Sequence, residues 1–549
     1  MKVIILCAGR GSRLGGITEY FPKSMITINH KPILGHILDH LYTGCSFKDS
    51  LDISIAVGYK SEIIKSYVND FYPDKDISFV DVDKFEGISS GPGYSLLLMK
   101  DFVSNEPFLL ILGDTLCFDD LANLIELGNC LCVYDVEDTS RFTTCLLSEE
   151  NYVLDFYDKV QDAPSKAAII GIYYIKDSGL YFEGLENTKD VLIKEELQLS
   201  NGFNHLLKND IRIQAFYSSW KDTGIEDTLM FTRASMGDFN LYDNPAELSV
   251  IHPSKVRKYF LEEDYPDYKR YYSVIKKITK SSLYRTVEKE SIKYPTFFDF
   301  NNFVDYKPLN SFIGPYCDTS HVMNVLFVIL TRIKDNLYSN ARFKHPGYDY
   351  LAYIISGLNS DSVLKEYFDS GIFVLNGDEY LFPSKILDNC DNSLLYQAYF
   401  VPIHGNLYLD NIFYDQKTNK VNLINPRLWF GDSFIYGDLA YDLACLMMSL
   451  AGLHNNIRLN NFTLSIDDDN AFSFELNNDI YYQLLKEKYL LLISRLFADE
   501  QLLNRVLFLE SLLYFKISIR SNTLSQKLAY FFTGTILLNK IANCEFIAK

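Results

Sequence analysis

Apolar runs alternate with helical patterns over roughly the first 120 residues, and this rhythm limits the fold more than any other feature of the chain. Strands and helices in repeated succession form a parallel sheet covered by helices. In such sheets, ligands gather at the carboxyl ends of the strands. We therefore predict an α/β fold here. The strand-like runs are KVIIL, DISIAV, ISFVDV and PFLLILGD, with helical patterns at ILGHILDHLY, EIIKSYVNDFY and SLLLMKDFV.

The chain is too long for one hydrophobic core, because a single core stops growing at roughly 250–300 residues. It has 549 residues. Between Leu131 and about Thr232 the pattern is richer in strands, and a polar stretch, SMGDFNLYDNPAELS, then interrupts the periodicity. We predict a first domain over 1–235, a linker over 236–250 and a second domain over 251–549.

Composition and charge exclude several classes of partner. With 52 Lys and Arg against 71 Asp and Glu, the net charge is −19, which repels nucleic acid but leaves room for a small phosphorylated ligand at a local cationic loop. The ten cysteines lack metal-ligand spacing, which favours reduced thiols and a cytoplasmic protein. No apolar run approaches the roughly 20 residues of a membrane span, so we expect no membrane insertion.

A bare cationic loop, LCAGRGSRLGGITEYFPKS, follows the first strand directly. Gly9 and Gly11 let the backbone approach a ligand closely and turn its N–H groups toward phosphate. Arg13 supplies a planar fork for phosphate oxygens, and Lys23 supplies a point charge. The loop lacks the third glycine of a dinucleotide fingerprint and the G-K-[ST] ending of a Walker loop. It therefore predicts a phosphate site of another kind.

The ordered stretch LCAGRGSRL…FPKSMITINHKPIL closely resembles the signature of the sugar-phosphate nucleotidyltransferase family, which includes the phosphocholine cytidylyltransferases. The family pattern is an apolar strand, then A-G-x-G-[ST]-R-L, and then P-K. The resemblance implies a Rossmann-like, GT-A-like mixed sheet whose first loop holds the triphosphate of a nucleotide. It implies catalytic roles for Arg13 and Lys23. The nucleotide-binding residues that it implies in this segment are Leu6, Ala8, Gly9, Gly11 and Ser12.

Later stretches follow the family order to about residue 235. SSGPGYSLLLMKDF resembles the turn that contacts the base, which assigns Gly91 to the nucleotide, although a proline and a tyrosine replace the usual small residues. LLILGDTL and the closing segment QLSNGFNHLL…FYSSWKDTGIEDTL place Asp114, which also contacts the nucleotide, and Asp222 where the family has its metal ligands. VLDFYDKV places Lys159 where the family contacts the acceptor phosphate. A structural turn for Gly91 and a solvated lysine for Lys159 remain open alternatives.

Two carboxylates and two cations suit the transfer of a nucleoside monophosphate. An acceptor phosphate attacks the α-phosphorus of a nucleoside triphosphate and expels pyrophosphate, so negative charge gathers on the entering and leaving oxygens. Mg²⁺ held by Asp114 and Asp222 would bridge that charge. The attacking phosphate is already ionised, and no general base is required.

A second motif, PIHGNLYLDNIFYDQKTNKVNLINPRLWFGDSFIYGDLAYDLACL, resembles the catalytic region of the aminoglycoside phosphotransferase and choline kinase family. His404 and Asn411 match the pattern, but Asn406 and Asn425 replace its catalytic and metal-binding aspartates. An amide carries no charge and cannot take the proton of a hydroxyl. We therefore expect a degenerate, protein-kinase-like α+β domain. In the alternative, a working kinase, a nearby carboxylate stands in: Asp410, Asp415 or Asp432.

Two further predictions concern the same region. Asp438 and Asp442 are expected to cap a helix and brace the loop. YYSVIKKITK alternates like a strand of a small lobe, which would present Lys276 to a nucleotide phosphate, with Glu288 or Glu290 on a following helix as its partner.

Together these features predict a Mg²⁺-dependent nucleotidyltransferase that acts on an NTP and a small phosphate ester and feeds the synthesis of a glycan or polysaccharide. The acceptor is either a sugar 1-phosphate or a phosphocholine-like compound. One alternative is a bifunctional enzyme whose second domain phosphorylates a small alcohol, and another is a nucleotide-binding protein without activity. The family resemblance also implies a homo-oligomer.

Overall fold

A computed structural model gives the fold. The residues that it describes are 1–47, 51–238, 248–252, 255–260, 264–279, 289–291, 297–301, 307–309, 317–339, 343–344, 350–368, 371–388, 399–430, 433–467, 471–477, 479–497, 499, 501–521 and 523–542.

Nine strands of the N-terminal region form one mixed sheet. The first eleven strands of the chain are β1 (Lys2–Cys7), β2 (Thr27–Ile28), β3 (Lys31–Pro32), β4 (Asp52–Val57), β5 (Ile77–Asp81), β6 (Phe108–Leu112), β7 (Cys130–Asp135), β8 (Thr143–Leu147), β9 (Val153–Asp158), β10 (Ala167–Ile175) and β11 (Gln214–Tyr217). The sheet order is β11-β7-β10-β6-β1-β4-β5, with β8 joined to β10 and to β9, while β2 and β3 pair separately. Strand β1 is parallel to both neighbours, and β10 is antiparallel to both β6 and β7.

Successive residues of β1 face opposite sides of this sheet. Val3 and Ile5 belong to one core, whereas Ile4 and Leu6 belong to the core on the other face. The sheet and its helices confirm the predicted α/β class of the N-terminal domain. These helices are α1 (Ile17–Tyr20), α2 (Ile33–Asp39), α3 (Ser61–Phe71), α4 (Pro92–Leu97), α5 (Lys100–Val103), α6 (Ala122–Glu126), α7 (Ser178–Asn187), α8 (Ser200–Lys208) and α9 (Glu226–Ser235).

A four-stranded antiparallel sheet follows, in the order β12-β13-β15-β14. Its strands are β12 (Leu248–His252), β13 (Lys255–Tyr259), β14 (Lys289–Ser291) and β15 (Phe297–Asn301). Strand β12 begins inside the stretch predicted as a linker, 236–250, of which 239–247 lies outside the described residues.

Helices dominate the remainder of the chain and enclose a third core. The helices are α10 (Tyr265–Thr279), α11 (Thr319–Ile333), α12 (Tyr350–Ser360), α13 (Ser362–Phe368), α14 (Pro383–Leu387), α15 (Leu439–Leu450), α16 (Leu453–Arg458), α17 (Ile480–Leu496), α18 (Leu502–Arg520) and α19 (Leu524–Ala542). The strands are β16 (Lys307–Pro308), β17 (Phe343–Lys344), β18 (Ile372–Leu375), β19 (Asp378–Leu381), β20 (Tyr399–Pro402), β21 (Ile412–Asp415), β22 (Lys420–Leu423), β23 (Trp429–Phe430), β24 (Ser433–Phe434), β25 (Tyr436–Gly437), β26 (Phe462–Ile466) and β27 (Phe472–Leu476).

The strand predicted for YYSVIKKITK is wrong, because nearly all of this segment lies in α10. Tyr268 and Tyr271 are both buried, and a spacing of three places them on one face of a helix that begins ahead of the quoted stretch. Lys276 is therefore a helical residue. Glu290 lies in strand β14 and not on a helix, so that part of the prediction is also wrong, and Glu288 lies outside the described residues.

Two findings bear on the environment of the protein. Among the residues that the structure describes, no helix has both the length and the apolar character that a membrane crossing needs. Every cysteine in the described ranges is a free thiol, and all of these but Cys317 are buried.

Candidate active site

The cationic loop, residues 8–23, leaves the sheet at the carboxyl end of β1. The N–H of Tyr59, which follows β4, donates to the carbonyl of Ala8 at 2.9 Å and holds the start of the loop. Gly11 has a φ of +78°, and a Cβ at this position would lie 2.8 Å from the Cβ of Lys23. Glycine is therefore required where the loop passes over the lysine.

The loop presents an open surface beside its buried start. Leu6 and Ala8 are buried at the end of β1, whereas Gly9, Ser12 and Arg13 are exposed. A Cβ at Gly9 would meet no atom within 4 Å. The backbone here is accessible to a ligand, and a guanidinium lies within the same turn.

Lys23 and Asp114 form an ion pair between the loop and the end of β6. The Nζ of Lys23 donates to Oδ2 of Asp114, and the two side chains are 14% and 36% exposed. Burial raises the pKa of the Asp114 carboxyl, but Lys23 and the more distant Arg13 outweigh burial, so the pKa lies below its ordinary value. Asp114 is therefore kept ionised, and in the protein alone its charge is paired with Lys23.

Asp222 lies near Asp114 because two segments of the chain meet here. The hydroxyl of Thr223 donates to the carbonyl of Asp114 at 2.7 Å. Each carboxylate oxygen of Asp222 has a donor: Nη2 of Arg141 lies 2.9 Å from Oδ2, and the N–H of Gly224 lies 2.7 Å from Oδ1. A Cβ at Gly224 would lie 2.6 Å from Nη2 of Arg141, so the glycine leaves space for the guanidinium.

Lys159 and Glu196 form another ion pair, with Nζ 3.0 Å from Oε2. Lys159 has a φ of +54°, a left-handed conformation that costs of order 1 kcal/mol for a residue other than glycine. Burial raises the pKa of Glu196, but Lys159, Gln198 and Arg13 bring it below its ordinary value. A Cβ at Gly91 would lie 2.8 Å from the Cβ of Glu196, so the Gly91 turn packs directly against this pair.

The predicted residues of the first domain thus converge on one edge of the sheet. Arg13 influences the pKa of both Asp114 and Glu196, which places the two acids within its electrostatic reach. Two residues were missed by the sequence analysis. Nothing in the local sequence marks Arg141, whereas Glu196 lies just ahead of QLSNGFN, a stretch within the family resemblance.

The two aspartates suit a divalent cation that arrives with its substrate. Among the described residues, no group of three or more His, Cys, Asp or Glu side chains could hold a metal. Mg²⁺ is commonly held by one or two carboxylates together with substrate phosphates. Asp114 and Asp222 provide such a pair, and Lys23 and Arg141 neutralise them in the protein alone.

The predicted kinase-like loop is an interlocked set of amides. The side-chain nitrogen of Asn406 donates to the carbonyl of Asn425 at 3.0 Å, that of Asn425 donates to Oδ1 of Asn411 at 3.1 Å, and that of Asn411 donates to the carbonyl of Asn406 at 2.9 Å. Oδ1 of Asn425 accepts from Nζ of Lys258 at 3.1 Å and from the hydroxyl of Ser249. A lysine ammonium therefore contacts the position where the resemblance implies a metal ligand.

His404 and Asp442 lie buried beneath these amides. Nε2 of His404 lies 2.8 Å from the carbonyl of Ile424, and Asp442 accepts the N–H groups of His404 at 2.8 Å and Gly405 at 2.7 Å. Burial raises the pKa of Asp442 to about 6. Asp438 caps α15 by accepting a backbone N–H at 2.9 Å. The predicted bracing and capping roles of these two aspartates are confirmed.

The aspartates considered as substitutes for the missing carboxylates are placed differently. Asp415 accepts the N–H of Lys417 at 2.9 Å and the hydroxyl of Thr418, so it stabilises its own turn. Asp410 is buried. Asp432 lies outside the described residues.

Comparison with known proteins gives a family match for the first part of the chain. Residues 2–236 match the family described as nucleotidyl transferase. A protein of Methanocaldococcus jannaschii named bifunctional protein GlmU is 34% identical over 229 residues, which cover 41% of this chain and 51% of that protein. The chain thus spans about half the length of this relative.

Two relatives from Haloferax volcanii match a larger share of their own length. The UTP–glucose-1-phosphate uridylyltransferase AglF is 28% identical over 181 residues, which cover 32% of this chain and 71% of AglF. The low-salt glycan biosynthesis nucleotidyltransferase Agl11 is 24% identical over 271 residues, which cover 45% of this chain and 73% of Agl11.

Proposed function

We propose that this chain, whose residues 2–236 match the nucleotidyl transferase family, transfers a nucleoside monophosphate from an NTP to a sugar 1-phosphate and releases pyrophosphate. The convergence of Lys23, Asp114 and Asp222 beside the cationic loop carries this proposal. The names of AglF and Agl11, which refer to glucose 1-phosphate and to glycan biosynthesis, favour a sugar acceptor over a phosphocholine-like one.

In this proposal the cations of the loop bind the triphosphate. Arg13 is exposed and free to turn toward phosphate oxygens, and Lys23 exchanges Asp114 for a phosphate when the nucleotide arrives. An oxygen of the acceptor phosphate forms a bond to the α-phosphorus, and the bond to the β-phosphate oxygen breaks. Asp114 and Asp222 would hold Mg²⁺, which neutralises charge on the reacting phosphates.

Lys159 and Glu196 are assigned to the acceptor. The ammonium of Lys159 suits the acceptor phosphate, and the carboxylate of Glu196 accepts hydrogen bonds from sugar hydroxyls. Their 3.0 Å contact orders both groups before the acceptor binds. Gly91 supports this arrangement through its close approach to Glu196.

The C-terminal region is proposed to have no phosphotransferase activity. Asn406 and Asn425 lack the charge that proton transfer and metal binding require. The contact of Lys258 with Asn425 adds a cation at the same place, which opposes the binding of Mg²⁺ there. Incubation with γ-labelled ATP and free choline or sugars is expected to give no labelled product, and a labelled product would favour the bifunctional alternative.

A pyrophosphate-release assay tests the main proposal. The four NTPs are each combined with sugar 1-phosphates and with phosphocholine in the presence of Mg²⁺, and release is expected with one NTP and a sugar 1-phosphate. Asp114→Asn should abolish this release. Lys31→Met is the matched control, because Lys31 also pairs with an acid, Asp39, outside the site. Release that survives Asp114→Asn, or no release with any pair, contradicts the proposal.

A further inference from the structure

Strands β12 and β13 lie between the two regions of the chain and send alternate side chains to opposite sides. Leu248, Val250 and Tyr259 belong to a core of the N-terminal domain. Val256 and Phe260 belong to the core of the C-terminal region. Because side chains alternate along a strand, β13 contacts both cores at once.

On the N-terminal side, Arg257 binds the end of α3. It is buried, and its Nη1 lies 2.8 Å from Oδ2 of Asp70 and 3.2 Å from the hydroxyl of Ser66. The guanidinium also lies 5.3 Å from the ring centroid of Phe71. A buried guanidinium that is held by both an acid and an aromatic ring fixes α3 against β13.

Tyr259 makes the other contact on this side. Its ring meets the ring of Phe21 edge to face, with centroids 5.9 Å apart, and both side chains are buried. Phe21 lies in the cationic loop, two residues before Lys23. The position of the catalytic lysine is therefore tied to β13 through one aromatic contact.

The helix that Arg257 binds also reaches the loop. Helix α3 begins just after Tyr59, whose N–H donates to the carbonyl of Ala8 at 2.9 Å and whose hydroxyl donates to the carbonyl of Glu19 at 2.7 Å. Arg257 thus contacts the carboxyl-terminal half of a helix whose amino-terminal end adjoins the loop, whereas Tyr259 contacts the loop directly, near its end.

Lys258 lies between these two residues in sequence and faces the other way. It is 6% exposed, and its Nζ donates to Oδ1 of Asn425 at 3.1 Å. Ser249 of β12 donates to the same oxygen. Asn425 is fixed in turn by Asn406 and Asn411, so the amide set of the kinase-like loop holds both strands.

We propose, on the premise of the nucleotidyltransferase function above, that Arg257 and Tyr259 are positioning residues for the cationic loop, and that the amide set around Asn425 anchors the strand that carries them. The C-terminal region then serves the reaction by holding Lys23 in place. Displacement of a reacting group by about 1 Å can cost as much as 100-fold in rate, so contacts outside the site can control turnover.

Three variants test the proposal in the full-length protein: Arg257→Met, Tyr259→Leu and Lys258→Met. Arg270→Met is the matched control, because Arg270 is exposed on α10 and lies over Phe434 of the C-terminal region. We expect kcat for pyrophosphate release to fall about tenfold in the three variants, with the KM for the sugar 1-phosphate within about twofold of wild type. Arg257→Lys, which keeps a charge beside Asp70, should restore part of the loss.

Hydrogen exchange provides a second measurement that does not depend on turnover. Amides of residues 8–23 should exchange several-fold faster in the three variants than in wild type, and at the wild-type rate in the control. The measurement is made at a temperature where circular dichroism shows the wild type, the three variants and the control all to be folded. If one of the three variants fails to fold, the other two test the proposal. Unchanged exchange and unchanged kcat in the folded variants overturn the inference.

The two proposals can fail separately. If the wild-type chain releases no pyrophosphate, the proposed function fails, and faster exchange confined to residues 8–23 still supports the link between β13 and the loop. If the wild type is active and the variants match it in both measurements, only the positioning inference fails.

Discussion

Lys23→Met separates two roles of one lysine, because the residue that is proposed to bind the triphosphate also neutralises Asp114 in the protein alone. A methionine keeps the length of the side chain and removes the charge. Loss of one cation that stabilises charge in the transition state costs about 3–4 kcal/mol, and we expect kcat to fall about 10²–10³-fold. Pyrophosphate release at saturating NTP and acceptor measures this loss.

The same change should strengthen the binding of a divalent cation to the protein without nucleotide. A positive side chain about 4 Å from a bound cation opposes the binding of that cation by roughly 4 kcal/mol at an effective dielectric constant of 20. Asp114 is 36% exposed, and solvent screening reduces this to about 1–2 kcal/mol, or roughly tenfold in affinity. Mn²⁺ titration followed by electron paramagnetic resonance measures that affinity directly.

The pH of this titration matters. Burial raises the pKa of Asp114, and in the variant Lys23 no longer offsets it, so the pKa of the carboxyl must rise. The titration therefore belongs at about pH 8, well above the ordinary range of a carboxyl group. Asp114→Asn should abolish Mn²⁺ binding, and Lys31→Met should leave it unchanged. Weaker Mn²⁺ binding in Lys23→Met than in wild type, or full turnover by the variant, would refute the reasoning.

Three further outcomes are expected. The pKa of Asp442 is about 6 in the fold, against an ordinary 3.8. Its raised pKa therefore contributes about 3 kcal/mol to the free energy of unfolding below about pH 4, and this contribution is lost as the pH rises through 6. The free energy of unfolding of Asp442→Asn, measured with urea, should lack this dependence on pH. Gly113→Ala would place a Cβ 2.8 Å from the carbonyl of Leu6, and its free energy of unfolding should fall by about 1–3 kcal/mol, with a lower Tm. Lys159→Met should raise the pKa of Glu196. The same variant should raise the KM for sugar 1-phosphate about tenfold, with little change in kcat.

Local structure could be predicted where a single strand or loop carries its own pattern. The apolar run of β1 and the glycines and cations that follow it are contiguous, so the strand could be predicted and the loop after it could be named as a candidate site. The segment YYSVIKKITK failed, because apolar residues at short spacing fit a strand as well as one face of a helix. The residues from Tyr265 onward, ahead of the quoted segment, distinguish a helix from a strand, since Tyr268 and Tyr271 share a buried face only in a helix.

Pairings between distant residues could not be predicted from one sequence. Arg141 meets Asp222 across 81 positions, and the partner of an arginine depends on how the strands between them are ordered. The amides Asn406 and Asn425 could be read from the sequence, and the kinase resemblance predicts carboxylates at both positions. The hydrogen bond from Lys258 to Asn425 could not be predicted from the sequence, because it depends on β13 lying between two cores.

Two ion pairs lie at the proposed site, and they bear on how an acidic protein would bind a triphosphate at its cationic loop. In the protein alone, Lys23 neutralises Asp114 and Arg141 neutralises Asp222. A triphosphate that binds by itself would compete with the two aspartates for the positive side chains. A divalent metal ion that binds by itself would compete with the positive side chains for the two aspartates. If the two bind together, the phosphates would take the lysine and the metal would take the carboxylates, so fewer charges would lose a partner than when either binds alone. We therefore expect NTP and Mg²⁺ to bind with positive coupling, and independent binding of the two, measured by calorimetry of each in the presence and absence of the other, would show that the ion pairs are not part of the site.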